Sequence, residues 1–451
     1  MIFRYLISAL FLLLSYTTQA THIFGGEILY EHVAGLTYKV KLTLYSDCAS
    51  NSTNSLYTSN PRVDVYNGNN YFALLQLNLV PNSGIEVTPV CPAQAGLTTC
   101  NISNSLIPGV KQFKFESLIT LNIVSADWKF VFDGQVSANG YAARSNNITN
   151  IVNAGNTTMY VEATLNNVLG FNSSPNYTTI PTPFYCTNQM QSYNQGAVDA
   201  DNDILNYGLS PAHDGSSTQL VTYIIPYNFL NPMGVAPFTF IFNSLTGQMD
   251  FTPNIIQRSL IVTKVTEYRN GNIIGTSMRE MTVITVPNCN NVPPSGTSVV
   301  NSLNVSYANN SFIVCKGISY LSFTINAFDS NMNNVSVLVN GLPLGATLYL
   351  VGNNTQNPQI NINWNIPSNQ LPGTYNFFVT LQDDGCPMSS TQTVAYSIVI
   401  LPQPIVSSIN TTVPCLTNLG GTINLSTTIG MSPFTYSINN SAYVNNSQVP
   451  Q

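Results

Sequence analysis

Apolar and polar residues alternate along much of this chain. Tyr38, Val40, Leu42 and Leu44 are interleaved with Thr37, Lys39, Lys41 and Thr43, and a period of two turns one set towards a core and the other towards water. In KVTEYRNGNIIGTSMREMTVITV, Asn270-Gly271 stands between two β-rich runs. Asn-Gly supplies the positive φ angles of a type I′ turn, so this stretch is predicted to be a hairpin. FNSLTGQMDFTPN places Gly247 as a turn between apolar runs and ends at Pro253. A sustained helical period occurs only at the N-terminus. Asn, Ser, Thr, Gly and Pro punctuate the rest at short intervals, which predicts an all-β chain of tandem immunoglobulin-like β-sandwiches.

Proline clusters give the joints. Ile180-Pro181-Thr182-Pro183, Val292-Pro293-Pro294-Ser295 and Leu401-Pro402-Gln403-Pro404 divide the chain. The units are an N-terminal β-sandwich over 21–180, a second sandwich over 181–291, a third over 292–402 and a remainder over 403–451. The second and third are about the ~100 residues of an immunoglobulin-like domain. The remainder is too short for one. Its end, NNSQVPQ, carries no stop signal, so the sequence reads as a fragment.

The one helical period belongs to MIFRYLISALFLLLSYTTQA. Arg4 gives a positive start, Tyr5 to Leu14 an apolar run and Thr18-Gln19-Ala20 a small-residue cleavage site. Residues 1–20 therefore read as a secretory signal peptide, too short for a comfortable span of ~20 apolar residues, with the mature chain starting at Thr21. No later apolar run is long enough to cross a bilayer, so no transmembrane span is expected in the mature chain.

Composition sharpens this picture. A chain of 451 residues exceeds the roughly 250 at which single cores stop growing. Hydrophobic residues at 44% with 10% aromatics support packed cores and argue against global disorder. With only 13 Lys and Arg and a net charge of -6, no basic stripe is available for counterion release, so nucleic acid is excluded as a partner.

Export makes the eight cysteines disulfide candidates. None forms a CxxC pair and there are three His, which argues against structural zinc. Cys186 and Cys289 bracket the second unit, while Cys315 and Cys386 lie inside the third. These four are the candidate domain clips, with connectivity left open. Clipping loops of that length stabilises by ~4 kcal/mol in the chain-entropy model.

Charged residues are 7% of the chain, yet DADNDILNY sets Asp199, Asp201 and Asp203 at alternate positions. Ca2+ takes six to eight oxygen ligands at roughly 2.3–2.6 Å, and such a turn can fold around it with Asn202 bending the chain. An EF-hand is excluded, because Ile204 and Ser210 occupy the slots that need Gly and a bidentate Glu. The plainer alternative is a solvated acidic turn that caps a strand. FDSNMNNVSV repeats the theme with Asp329, but Asn331 and Asn333 replace the acids. Asp383 and Asp384 are candidates to complete that second metal site, with loop capping as their plainer role.

Nothing in the sequence assembles a catalytic apparatus, and no enzyme is expected. His213-Asp214-Gly215-Ser216-Ser217 contains triad residue types side by side in a loop, whereas a triad is a spatial relation. HExxH, GxSxG and P-loop patterns are absent. Trp128 and Trp364 lie in apolar strands and are assigned to cores. Asn-x-Ser/Thr triplets at Asn147, Asn304 and Asn424 are read as products of an Asn-rich composition.

Several phrases, taken in order, resemble a bacterial family. They are THIFGGEILYE at Thr21–Glu31, LTLYSDC ending at Cys48 and RSNNITNI at Arg144–Ile151, followed by DADNDILNYGLSP, FNSLTGQMDFTP and TEYRNGNIIGTSMREM. GLPLGATL, INWNIPSNQLPGTYNFFVTLQDDGCP and GMSPFTYSINN at Gly430–Asn440 continue the series. The family is that of the gliding-motility-associated, type IX-secreted surface proteins of the Bacteroidetes. The resemblance covers nearly all of the mature chain. It implies that 181–291 is a cadherin-like module, 292–402 a PKD-like sandwich and 403–451 the start of an adhesin repeat. It also implies that ligands join the acidic loop from another strand or a neighbouring module, with Glu267 as the fourth candidate.

Three departures stand out. Ala142 and Ala143 precede Arg144 where the family often has a Cys pair, which leaves Cys48 unpartnered or joined to Cys91 or Cys100. Asn202 stands where Gly is usual, and Asn tolerates the left-handed region. The family's C-terminal sorting domain is not seen in this sequence. The resulting expectation is a non-catalytic, secreted, bacterial cell-surface protein, an adhesin or gliding-motility component with calcium-stabilised modules. Its partners would be extracellular surfaces, glycan or protein ligands and other envelope components. The alternative is the non-catalytic N-terminal part of a large secreted polysaccharide-degrading enzyme.

Overall fold

The computed structural model describes residues 21–138, 140–181, 183–287 and 290–403, together with strand backbone at 405–412, 422–429, 435–436 and 444–445. The expected signal peptide, Cys289, Cys415 and most of the expected adhesin repeat lie outside the described residues. The architecture is all-β. Among the described residues the helical pieces are short 3₁₀ turns, and no helix is long and apolar enough to cross a membrane.

β1 (Thr21–Ala34) and β2 (Thr37–Asp47) form a long hairpin. The alternation read in β2 is real: Tyr38, Val40, Leu42 and Leu44 are buried and the residues between them half-buried. The strands β3 (Arg62–Asn67), β4 (Asn70–Gln76), β5 (Val110–Thr120), β6 (Trp128–Phe132), β7 (Gly140–Arg144) and β8 (Val161–Leu165) follow. After the prolines at 181–183 come β9 (Phe184–Cys186), β10 (Ile204–Leu209), β11 (Arg258–Arg269) and β12 (Asn272–Val286). Asn270 and Gly271 turn β11 into β12 with φ of 53° and 79°, the positive pair that the Asn-Gly signal implies.

All of these strands belong to one fifteen-stranded sheet, whose main path runs β4-β3-β6-β8-β12-β1-β2-β5. β12 therefore sits between β8 and β1, and the sheet continues straight across the proline joint at 180–183. Two features make this possible. Every residue from Ile274 to Thr285 is buried, so β12 is built for covering on both faces. On β1, a Cβ at Gly25 would collide with the Glu280 carbonyl, so glycine permits the close approach.

The β11–β12 hairpin feeds two cores. Leu260, Val262, Met278 and Ile284 join the large core with Trp128, Phe113 and Phe130. Ile261, Met281 and Val283 pack on the other side with Tyr185, Tyr193, Met249 and Phe251. Arg144 and Glu280 tie β7 to β12 through a fully buried pair, with Nε–Oε1 at 2.8 Å and Nη2–Oε2 at 2.7 Å. The guanidinium also donates to the carbonyls of Thr158 and His213, so each of its nitrogens is bonded.

A two-sheet sandwich follows. Its strands are β13 (Ser295–Leu303), β14 (Ser311–Cys315), β15 (Tyr320–Phe328), β16 (Val335–Asn340), β17 (Ala346–Val351), β18 (Gln359–Asn365), β19 (Gly373–Asp383) and β20 (Thr391–Leu401). One sheet runs β13-β15-β18-β17; the other runs from a short strand at Ser306–Ala308 through β14-β20-β19-β16. Trp364 and the rings of Phe312, Phe323, Phe377 and Tyr396 fill the space between them. Both tryptophans are completely buried.

Disulfides correct one sequence expectation. Cys48 joins Cys100, and Cys386 joins Cys91 across 295 residues of sequence. Cys315 is a free, exposed thiol and does not pair with Cys386. The strand register explains why. Cys315 lies opposite Leu401 at the far end of β20, whereas Cys386 sits in the turn that precedes β20. Eleven residues of strand separate the two ends, roughly 35 Å. Cys186 is disulfide-bonded.

Candidate metal centre

The acidic loop closes on itself before β10 begins. Asp199 Oδ1 accepts from the backbone N–H of Asp201 at 3.0 Å and of Asp203 at 2.8 Å. Asn202 takes a left-handed φ of 63° to make this turn. One carboxylate oxygen is thereby committed to the loop. The other, Asp199 Oδ2, is buried without a hydrogen-bond partner.

β10 then pairs with β11 in a register that sets Leu205 against Glu267, which brings the loop to the Glu267 carboxylate. Glu267 is fully buried. Its Oε2 accepts from Asn172 Nδ2 at 2.6 Å, and its Oε1 is a second buried oxygen with no hydrogen-bond partner. Across the hairpin stands Gly275, where a Cβ would lie 2.7 Å from Glu267 Oε1. Glycine keeps that space open. Ligand oxygens of Asp199, Asp203 and Glu267 all lie within 4.8 Å of one another.

Asp203 is held differently. Arg269 donates Nε to Oδ1 at 2.8 Å and Nη2 to Oδ2 at 2.7 Å, and reaches Phe171 O and Asn172 Oδ1 with its remaining donors. Asp201 stands at the rim: its Oδ2 accepts from Ser173 N at 2.7 Å and lies 4.0 Å from Arg269, outside the three-carboxylate group.

One guanidinium thus faces four carboxylates. Burial, reinforced by the Asp203 and Asp201 charges, pushes Asp199 up to about 6 even though backbone donors oppose the shift. Burial pushes Glu267 well above the usual carboxylate range, against the pull of the Asn172 amide and with the help of the three loop acids. Two orphan carboxylate oxygens, a glycine-kept space and an all-oxygen donor set fit a hard divalent cation. Asp199, Asp203 and Glu267 are the residues able to hold it.

The second acidic stretch repeats the turn. Asp329 Oδ1 accepts from Asn331 N at 2.7 Å and Asn333 N at 3.1 Å, with Met332 at a φ of 64°. Asp383 Oδ1 accepts from Gly385 N, Ser390 N and Asn291 Nδ2 at 2.8–2.9 Å. Asp329 Oδ2 and Asp383 Oδ2 are both buried without hydrogen-bond partners. Burial raises the Asp383 carboxyl, and the Asp329 charge adds to that shift. Asp384 turns away, with its two oxygens taken by Asn334 N and Nδ2, each at 2.9 Å. The pair is therefore Asp329 and Asp383, with Asn291 donating to Asp383 and accepting from Asn333 Nδ2 at 2.8 Å in the Asp329 turn.

Sequence reasoning missed Asn172, Arg269 and Gly275. Arg269 adjoins the Asn-Gly turn and was open to suspicion; Asn172 carries no sequence signal. At His213, the Asp214 carboxylate accepts from the Thr158 backbone at 2.7 Å, and Ser216 pairs with Thr218.

No family model and no curated protein matches this chain. Among solved structures, titin Ig tandem domains A164-A165 match at 8% identity over 51% of this chain and 98% of theirs, with a TM-score of 0.17. The titin A168169 structure gives 9% identity over 50% and 98%, with a TM-score of 0.16. Drosophila N-cadherin EC1-3 gives 11% identity over 60% and 85%, with a TM-score of 0.19. At such TM-scores the likeness adds nothing to the sheet order described above.

Proposed function

We propose that this chain is a non-catalytic, secreted cell-surface protein that works by binding and display, as an adhesin or gliding-associated component. In this reading Ca2+ is held by Asp199, Asp203 and Glu267 and stiffens the stretch around β10 and β11. The observation that supports it is the pair of buried, unbonded oxygens, Asp199 Oδ2 and Glu267 Oε1, inside one cluster of carboxylates. Without a cation these charges repel one another in a poorly solvated space. Asp201 serves at the rim, and Asp329 with Asp383 forms a second, weaker site, because Asn replaces acid in that turn.

The test is thermal unfolding of the chain with Ca2+ and with chelator, alongside Glu267→Gln and Asp199→Asn. Ca2+ at a hundred times its Kd stabilises the natural chain by about 2.7 kcal/mol. Both variants lose most of that response. An identical melting temperature with Ca2+ and with chelator in the natural chain overturns the calcium reading.

A further inference from the structure

The loop between β4 and β5 carries two cysteines with different destinations. Cys100 bonds Cys48 at the end of β2, and Cys91 bonds Cys386 in the β19–β20 turn of the sandwich. Backbone contacts align the second junction. Val90 bridges Met388, Cys91 N donates to Pro387 O at 3.3 Å, and Ser389 N donates to Pro89 O at 3.1 Å. Met388 itself packs into the large core. Between the two cysteines the chain is a compact series of turns, with Gln94 N bonded to Cys91 O and Leu97 N to Gln94 O, both at 2.9 Å.

The covalent graph that results is much shorter than the sequence. Starting at Thr21, one can pass along β1 and β2 to Cys48 and step across to Cys100. Nine residues back, Cys91 leads to Cys386 and out along β20. Residues 49–90 and 101–385 hang on this route as side loops. They include the acidic loop, Glu267, the β11–β12 hairpin and most of the sandwich.

We propose that the two disulfides form a tension bypass. Pulling on the two ends of the chain loads only 21–48, the 91–100 strap and the stretch from Cys386 onward. The acidic cluster and the β11–β12 hairpin are removed from the covalent path of force, while β1, which pairs with β12, remains on it. The bypassed segments cannot be drawn out end to end while both disulfides hold. This inference rests on the disulfide connectivity and holds whether or not the cluster binds a cation.

Single-molecule stretching of the full chain, held by handles at its two ends, tests it. The oxidised chain should be shorter at full extension than the reduced chain by the length of the side loops. That is roughly 325 residues, or on the order of 1,100 Å at about 3.4 Å per residue. The Cys91→Ser, Cys386→Ser double variant, kept oxidised, should extend several hundred Å further than the oxidised natural chain. Reducing the natural chain after it has folded in the trap gives the same readout if that variant folds poorly. Equal full extension of the oxidised and reduced chains overturns the proposal. So does the lack of a Cys91–Cys386 cross-linked peptide in a non-reducing digest.

Discussion

Arg269 grips Asp203 through both carboxylate oxygens, at 2.8 and 2.7 Å, two residues along the same strand from the buried Glu267. The guanidinium is the one positive group bonded to the acidic cluster among the described residues. It offsets part of a charge that a cation would offset more fully. Arg269→Ala should therefore cost about 2 kcal/mol in chelator, the scale of hydrogen bonds to a charged group. In saturating Ca2+ the loss should be smaller. Chemical denaturation of both proteins under both conditions measures the difference.

The same cluster sets a pH response in chelator. Asp199 is raised from 3.8 to about 6, so the folded state holds its proton more tightly than the unfolded state does. Its contribution is most favourable below pH 4 and falls as pH rises from about 4 to 6, by up to ~3 kcal/mol. The raised Glu267 extends the loss towards higher pH. Saturating Ca2+ should remove this dependence, since the ion favours the ionised carboxylates. Asp199→Asn in chelator should flatten the pH 4–6 segment of the stability curve.

Arg144 and Glu280 form a second kind of charge pair, completely buried and bonded at every donor that reaches the carboxylate. Removing one partner leaves the other charge stranded. Glu280→Ala should destabilise by about 3–5 kcal/mol. Replacing both residues with apolar ones of similar volume should cost far less, which a double-mutant cycle can resolve.

Asn202 occupies the left-handed region at a φ of 63°. Asn202→Gly should be close to neutral, whereas Asn202→Val should cost about 1–2 kcal/mol. If the cluster holds Ca2+, the Val variant should also lose affinity, because the turn orders Asp199 and Asp203 together. Calorimetric titration with Ca2+ separates the two effects.

Local structure was legible in the sequence. Period-two alternation found β2, Asn-Gly found the β11–β12 turn, and apolar context put Trp128 and Trp364 in cores. These signals are local because backbone geometry repeats every residue or two. The acids at 199 and 203 were conspicuous for the same reason, being dense in a charge-poor chain. Long-range facts were not legible. Nothing in CPAQAG announces that Cys91 meets Cys386, and nothing in β12 says that it will lie beside β1. Gly275 reads as an interruption in an apolar strand until Glu267 is seen opposite it.

β12 beside β1 has a consequence for how the molecule is made. β1 heads the described chain, and β12 begins about 240 residues after it ends. Until that later hairpin arrives, the edge of β1 that carries Gly25 and Gly26 waits with open backbone groups. A chain that emerges from its N-terminus must shelter that ribbon from other molecules, since such an edge is a template for misassembly. Completing this part of the sheet therefore waits on a distant strand pairing, and a version truncated before Asn272 should aggregate more than the longer chain does.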